Sequence, residues 1–276
     1  TGSDIAGANY TWLLNNVRQS DSSGMDKNTF SFQAGKLGSV YTVTVSVTTS
    51  IGENLRDSIS FTVSDADLTW SAQNQAPADY EGKVLPSEGT KIVASVLPII
   101  FAQGTKIQLN SGNLTYNWFV NNTFDSKNSG IGKSAYKFTL NNSSALKVRI
   151  ANSQNTAVIE KSINIRTASP QILTFLADAN GKVIYRNALD TANVSLDRKL
   201  DFIVVPYFFN LPQSQLNWSW FVDNQKTAGE PEVPWLASLQ IPKDIAVPSG
   251  LQITVSVLNP YFDAENAQSL ININKT

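Results

Sequence analysis

Apolar and polar residues alternate with a period of two through three long runs of the chain. Tyr41-Thr42-Val43-Thr44-Val45-Ser46-Val47, Leu146-Lys147-Val148-Arg149-Ile150 and Leu251-Gln252-Ile253-Thr254-Val255-Ser256-Val257 each put every second side chain on one apolar face. That is the pattern of a β-strand with one face buried. Shorter strands are predicted after them at Ser60–Val63, Ser162–Ile165 and Leu270–Ile273. Asn, Gly, Ser and Pro, which favour turns, bound these runs. No segment of helical period joins them, so the strands are expected to pair antiparallel.

The pattern repeats. Tyr10-Thr11-Trp12-Leu13-Leu14-Asn15-Asn16, Tyr116-Asn117-Trp118-Phe119-Val120-Asn121-Asn122 and Trp218-Ser219-Trp220-Phe221-Val222-Asp223-Asn224 share one design: an aromatic, a polar residue, Trp, two apolar residues and an Asx pair suited to a turn. The central tryptophans lie 106 and 102 residues apart. Upstream, Leu68-Thr69-Trp70 matches Leu173-Thr174-Phe175, Tyr80 matches Tyr185, and Val96–Phe101 matches Val204–Phe209. Four landmarks in the same order point to duplication.

Seven or so strands per roughly 100 residues imply an antiparallel β-sandwich. The expected fold is therefore all-β, three tandem immunoglobulin-like sandwiches over residues 1–64, 65–167 and 168–276. Trp12, Trp118 and Trp220 are expected to pin the two sheets of each unit together. Pro98 and Pro206 cannot donate to a ladder and should sit at a strand end, an edge or a bulge. The first unit is expected to be incomplete. It has 11 residues before its tryptophan, where the other units have about 52 counted from their own starts. A sandwich without those strands exposes apolar surface and open edges. Two explanations are weighed: a longer array supplies the strands, or a neighbouring subunit adds one.

Composition narrows the chemistry. The 276 residues include no Cys and no His, which excludes disulfides, Cys–His and Ser–His nucleophilic pairs, and most zinc, copper and non-haem iron sites. With 21 basic against 22 acidic residues, no electrostatic case exists for nucleic acid or an anionic membrane. No run approaches the ~20 apolar residues of a membrane-spanning helix. Thr1 opens a polar stretch rather than a leader, and the Asn-, Ser- and Thr-rich surface leans towards an extracellular or cell-surface location.

Carboxylates are the remaining acids and bases. Asp21, Asp26, Asp65, Asp67, Glu230 and Glu232 fall in loops or near unit boundaries, and no spacing sets a catalytic pair apart. Asp65 and Asp67 at the first junction are weak candidates for calcium, but Thr167-Ala168-Ser169-Pro170 at the second has no acid. No catalytic residue and no cofactor is expected. Tyr207, Phe208, Phe209, Trp235, Tyr261 and Phe262 are candidates for an interaction surface, because adjacent aromatics in one strand cannot all face inward. They pack against the next unit or, in the alternative reading, stack on a glycan.

Tyr10-Thr11-Trp12, followed by Tyr41–Val47, a glycine-containing turn at Ser50–Glu53 and Ile59–Val63, resembles a PKD-type domain. That family is a seven-stranded immunoglobulin-like sandwich common in microbial surface and secreted proteins. The likeness covers the second half of each unit, and the family's Trp-Asp-Phe-Gly-Asp-Gly signature is replaced here by Trp12-Leu13-Leu14-Asn15-Asn16. It implies a fold and a surface setting and assigns no functional residue. Units two and three also resemble tandem modules of large bacterial surface proteins. The expected function is that of a non-enzymatic structural or adhesive segment, a rod-like spacer or display module in a cell-surface or filament protein. Its expected partners are other units of the same or a neighbouring surface protein, including a homopolymer, with the first unit completed by strand addition. The alternative is a carbohydrate-binding module using its surface aromatics.

Overall fold

A computed structural model describes residues 6–178, 180–185, 187–195, 199–227, 229, 232–240 and 250–275. Among them there is no α-helix, only strands and three single turns of 3-10 helix at Ser20–Ser22, Ser111–Asn113 and Gln213–Gln215. No helix is long and apolar enough to cross a membrane.

The first sandwich is represented by one sheet. Its strands are β1 (Asn9–Leu14), β2 (Val17–Arg18), β3 (Gly24–Met25), β4 (Val40–Thr48) and β5 (Asn54–Thr62), in the order β2-β1-β4-β5 with β3 beside β1. The second has two sheets. One contains β6 (Asp65–Ala72), β7 (Thr90–Ile99) and β11 (Ala135–Leu140) in the order β11-β7-β6. The other has the order β10-β8-β12-β13, built from β8 (Thr115–Val120), β9 (Thr123–Phe124), β10 (Gly130–Ile131), β12 (Ser144–Ala151) and β13 (Val158–Ile165), with β9 beside β8. The third repeats the plan. Strands β14 (Gln171–Leu176), β16 (Lys199–Tyr207) and β19 (Leu236–Gln240) form one sheet. The other is β15 (Thr191–Val194), β21 (Asn266–Lys275), β20 (Leu251–Leu258), β17 (Asn217–Val222) and β18 (Gln225–Thr227), in that order. The chain is thus three tandem immunoglobulin-like units, and among the described residues the first shows no counterpart of the sheet that precedes the tryptophan strand in the other two. By packing, the chain divides into two compact units, residues 1–69 with 94–136 and 145–163, and residues 70–93 with 137–144 and 164–276.

The Asx pairs form the same turn three times. Asn15 and Asn16, Asn121 and Asn122, and Asp223 and Asn224 all have positive φ, between 47° and 66°. Two successive left-handed residues make the hairpin turn whose twist matches the flanking strands, and Asn and Asp tolerate that conformation well. The first residue of each pair also accepts a backbone N–H from the next long strand. Asn15 Oδ1 takes Thr42 N, Asn121 Oδ1 takes Ala145 N and Asp223 Oδ1 takes Gln252 N, each at 2.9 Å. The turn thereby fixes the register of the strand that carries the valines of the core.

Each tryptophan is held by its indole N–H as well as by its ring. Nε1 donates to the carbonyl of Lys27 from Trp12, of Lys133 from Trp118 and of Pro234 from Trp220, at 2.9, 2.9 and 2.8 Å. Trp118 is fully buried and stacks on Tyr136 of β11 at 5.2 Å, a contact that joins the two sheets. Trp220 sits in a core with Phe202 and Val204 of β16 and Val255 and Ile271 of the facing sheet. Pro206 falls second from the end of β16, beyond the Lys199–Ile203 stretch that pairs with β19, so its missing N–H costs no bond on that side. Pro98 is likewise second from the end of β7.

Candidate functional site

Two places stand out once the three repeats are compared: the inner face of the first sheet and a buried polar joint in the third sandwich. Antiparallel register assigns the inner face. Trp12 lies opposite Val45, Tyr10 opposite Val47 and Leu14 opposite Val43, and beyond them Val43, Val45 and Val47 lie opposite Ile59, Asp57 and Leu55. The opposite face of the same strands is polar, with Thr42 bonded to Ser60 and the buried Thr44 to Ser58 through their hydroxyls.

In the siblings the equivalent positions are closed. Val148, opposite Trp118, and Val255, opposite Trp220, have no exposed surface. Val45 is partly exposed. Ile59 is 56% exposed, whereas Ile271, which occupies its position in the third sandwich opposite Ile253, is fully buried. The first sheet therefore carries a core face without a full second layer.

What covers it in part is residues 29–34, a segment outside the strands in which half-buried Phe30 and Phe32 alternate with exposed Ser31 and Gln33. Phe30 stacks on Trp12 at 5.7 Å, Phe32 stacks on Phe30 at 5.5 Å, and Phe32 meets Tyr41 and Phe61 at 5.0 and 6.1 Å. Phe30 follows Trp12 by 18 residues, the same spacing that separates Tyr136 from Trp118. Residues 29–34 are thus the counterpart of β11. Strand β11 is hydrogen-bonded to β7, but the first unit has no counterpart of β7 among the described residues. The segment is consequently assigned to no strand. Among the described residues, no hydrogen bond engages the backbone of residues 29–34, and the flanking Gly35 N–H donates to the Tyr41 hydroxyl at 2.8 Å.

The polar joint centres on Glu265, in the turn between β20 and β21 and fully buried. Its carboxylate accepts from the Ser87 hydroxyl, from Asn259 Nδ2 at 2.6 Å and from the backbone N–H of Asn210 at 3.1 Å. Asn210 in turn accepts from Thr90 Oγ1 at 3.0 Å and donates to the Glu88 carbonyl at 3.1 Å. Alongside, Gln75 N–H donates to the Phe209 carbonyl at 2.8 Å and Phe208 N–H to the Gln75 carbonyl at 2.9 Å. Ser87, Glu88, Thr90 and Gln75 come from the second repeat, so these bonds tie its loops to the third.

The aromatic candidates separate by depth. Strand β16 ends at Tyr207, and Phe208 turns the chain with φ +65°, breaking the alternation. As a result Phe208 and Phe209 are both buried, at 6% and 0% exposure, and Tyr207 packs edge-on with Phe208 and Tyr80. Tyr261 is 83% exposed, and Phe262 is half-buried beside Gly89. Trp235 packs 6.3 Å from Trp218 and lines a cavity of about 340 Å³ with Tyr185, Gln75, Asp79 and Gln213.

The acids do not converge. Asp65 is exposed and pairs with Lys161 at 2.6 Å, and this ion pair, with the Ala66 N–H, holds its carboxyl below the usual carboxylate range. Asp67 is exposed on alternate residues of the same strand. Asp21 lies in the 3-10 turn after β2, Asp26 directly follows β3 and accepts the Gly7 N–H at 2.8 Å, and Glu232 is exposed. Glu230 lies outside the described residues. Among the described residues no three carboxylates gather where they could hold a metal ion. Asp125 is tied up structurally, its carboxyl lowered chiefly by Asn128 and accepting from the Tyr136 hydroxyl at 2.9 Å; burial and that carboxylate raise the Tyr136 phenol. Residue-type reasoning missed both the 29–34 segment and Glu265. The 18-residue spacing from Trp to Phe30 was a readable signal for the first. A lone Glu in a Tyr-Phe-Asp loop offered none for the second.

No protein-family model matches the chain, and no curated protein sequence matches it. Solved structures that it resembles include the three N-terminal domains of the highly immunogenic outer capsid protein of bacteriophage RB49, at 12% identity and a TM-score of 0.28, covering 100% of this chain and 90% of that one. A second is a region of a 1.5-MDa bacterial ice-binding adhesin, at 10% identity, TM-score 0.26 and coverage of 98% and 87%. A third is the fibronectin(III)-like modules of Clostridium thermocellum CbhA, at 11% identity, TM-score 0.25 and coverage of 75% and 94%. The sandwich architecture itself follows from the chain's own sheets and cores.

Proposed function

We propose that the chain is a non-enzymatic structural or adhesive segment of a cell-surface or extracellular protein, whose three units, residues 1–64, 65–167 and 168–276, space or display other parts of an assembly. The observation that carries this reading is the buried joint at Glu265. A spacer transmits position only if successive modules are fixed to each other, and flexible linkers between sandwiches would not do so. Here a carboxylate without exposure is satisfied by Ser87, Asn210 and Asn259. The paired carboxylate favours one arrangement, because any other leaves it unpaired and desolvated, although Asn74, which donates to Ser87 Oγ, keeps its own Oδ1 buried without a partner. The Tyr10-Thr11-Trp12 strand with its two downstream strands supports a PKD-type module, best in the first repeat, with an aromatic-x-Trp strand at the same place in the other two. Partners would be neighbouring units of the same or an adjoining surface protein.

The absence of cysteine makes the test direct. Spin labels on single cysteines introduced at exposed Lys91 and Tyr261 should give one narrow distance distribution that broadens in Glu265→Ala. A broad distribution in the unaltered joint would overturn the spacer reading. A glycan-binding reading has one observation in its favour, the cavity where Trp235 and Tyr185 meet Gln75, Asp79 and Gln213. Aromatic faces beside amide and carboxylate groups suit a sugar ring. Glycan-array binding abolished by Trp235→Ala would establish it in place of the spacer reading.

A further inference from the structure

The geometry points to the inner face of the first sheet as an acceptor for a β-strand, donated antiparallel alongside residues 29–34. We infer that its occupant is an extended segment of the type this chain carries as β7 and β16, with aliphatic residues at alternate positions. This inference rests on different residues from the spacer reading and stands or falls separately.

Three observations define the occupant. First, residues 29–34 alternate, with Phe30 and Phe32 packed on rings of the sheet and Ser31 and Gln33 exposed, yet among the described residues no hydrogen bond engages their backbone. A strand in that state presents a row of donors and acceptors that a second strand satisfies. Second, the same chain shows what lies beside this element when the sandwich is complete. Strand β19 of the third unit pairs antiparallel with β16, Phe202 opposite Ala237 and Leu200 opposite Leu239. Strand β11 of the second pairs with β7, whose Ile92, Ala94 and Val96 are at 0, 0 and 3% exposure. Third, the surface left open is largely aliphatic. Val43, Val45 and Val47 are partly exposed, and Leu55 and Ile59 are 50% and 56% exposed on the same face.

Asp57 distinguishes a strand from a second copy of the face. It lies opposite Val45 on the edge strand β5, between Leu55 and Ile59 on the apolar face, with its carboxylate accepting the Ser58 N–H at 2.8 Å. Two such faces stacked on one another would bury two carboxylates among valines, which is costly without a cation to pair them. An inward charge on an edge strand is a common device against indiscriminate sheet-to-sheet association. A strand beside residues 29–34 lies at the opposite layer and leaves Asp57 near the edge, where water reaches it.

The experiment uses the whole chain and a synthetic peptide with the sequence of Thr90–Ile99, at concentrations up to millimolar, followed by residue-resolved amide hydrogen exchange. Addition of the peptide should slow exchange at residues 29–34 at least tenfold and leave residues 144–151 and 251–258 unchanged. A peptide carrying Ile92→Asp and Ala94→Asp should have no effect, because its inward positions become charged. Sedimentation of the chain alone should show a monomer. Four results overturn the proposal: no slowing at millimolar peptide, equal slowing by the charged peptide, protection of residues 29–34 in the peptide-free monomer, or self-association of the chain that protects the same residues. None of these outcomes bears on the Glu265 joint, whose test reads a distance elsewhere in the molecule.

Discussion

Three valines at one structural position offer a controlled comparison inside a single chain. Val45, Val148 and Val255 each lie opposite the tryptophan of their repeat. Val148 and Val255 are fully buried, and Val45 is partly exposed. Replacing valine by alanine removes two carbon groups, worth about 0.8 kcal/mol each when fully buried. A further loss follows where the surroundings cannot collapse into the space. For Val148→Ala and Val255→Ala the sum is about 2–3 kcal/mol. At Val45 water already reaches the side chain, so less area is lost and no closed cavity forms; the expected cost is below about 1 kcal/mol. Urea unfolding followed by residue-resolved NMR reports each sandwich separately and so measures the three costs in their own units. Equal destabilisation by Val45→Ala and Val148→Ala would refute the open-face argument, since it would mean the first sheet is closed by residues the comparison has overlooked.

Further outcomes follow from other contacts. Glu265→Ala leaves the Asn210 N–H, Ser87 hydroxyl and Asn259 amide without their shared acceptor. It should lower the stability of the third sandwich by about 2–4 kcal/mol in thermal unfolding, since stranded buried donors cost about 1–3 kcal/mol each and water recovers part of that. Asn122→Val forces a β-branched residue to φ +63° and should cost about 1–2 kcal/mol, whereas Asn122→Gly should be near neutral; chemical denaturation separates them. Asp65 titrates below its ordinary 3.8 because Lys161 and the Ala66 N–H favour the carboxylate. Its contribution to stability is therefore present above that pH and lost as pH falls through the lowered value. Lys161→Ala should move the Asp65 carboxyl resonance back up towards 3.8 in an NMR titration, and an unmoved midpoint would show that the ion pair has no such effect.

The strands with strict alternation were legible because burial on one face writes itself into the sequence with a period of two. Tyr41–Val47 was expected and Val40–Thr48 forms; Leu251–Val257 was expected and Leu251–Leu258 forms. The strands that close each repeat are longer than predicted. Asn54–Thr62 has Asn54, Arg56, Asp57 and Ser58 exposed, so most of its length lacks the apolar positions from which a strand is read. Strands β15 and β19 were not anticipated at all, being four and five residues long and defined by partners distant in sequence, β21 and β16. The incomplete first unit was foreseeable from repeat length. Its consequence for residues 29–34 was not, because a strand is a property of a pair, and Phe30-Ser31-Phe32 reads as a strand only when its partner is considered. The joint was hidden for a related reason. Ser87, Asn210 and Glu265 are ordinary loop residues until the fold brings together positions 178 residues apart.

The central claim is that, among the described residues, two sandwiches are closed and the first is open. Residue-resolved amide hydrogen exchange on the unaltered, monomeric chain measures it most directly. Amides of β12 and β20 should exchange only through large openings of closed sandwiches, whereas those of β4 should exchange through a cheaper opening of a sheet whose apolar face is partly exposed, and residues 29–34 should exchange fastest of the three groups. The expected difference in opening free energy between β4 and β12 is several kcal/mol, since each aliphatic side chain left uncovered forfeits part of the ~1.5–3 kcal/mol that full burial supplies. Protection of β4 equal to that of β12 and β20, with residues 29–34 protected alongside it, would contradict the account.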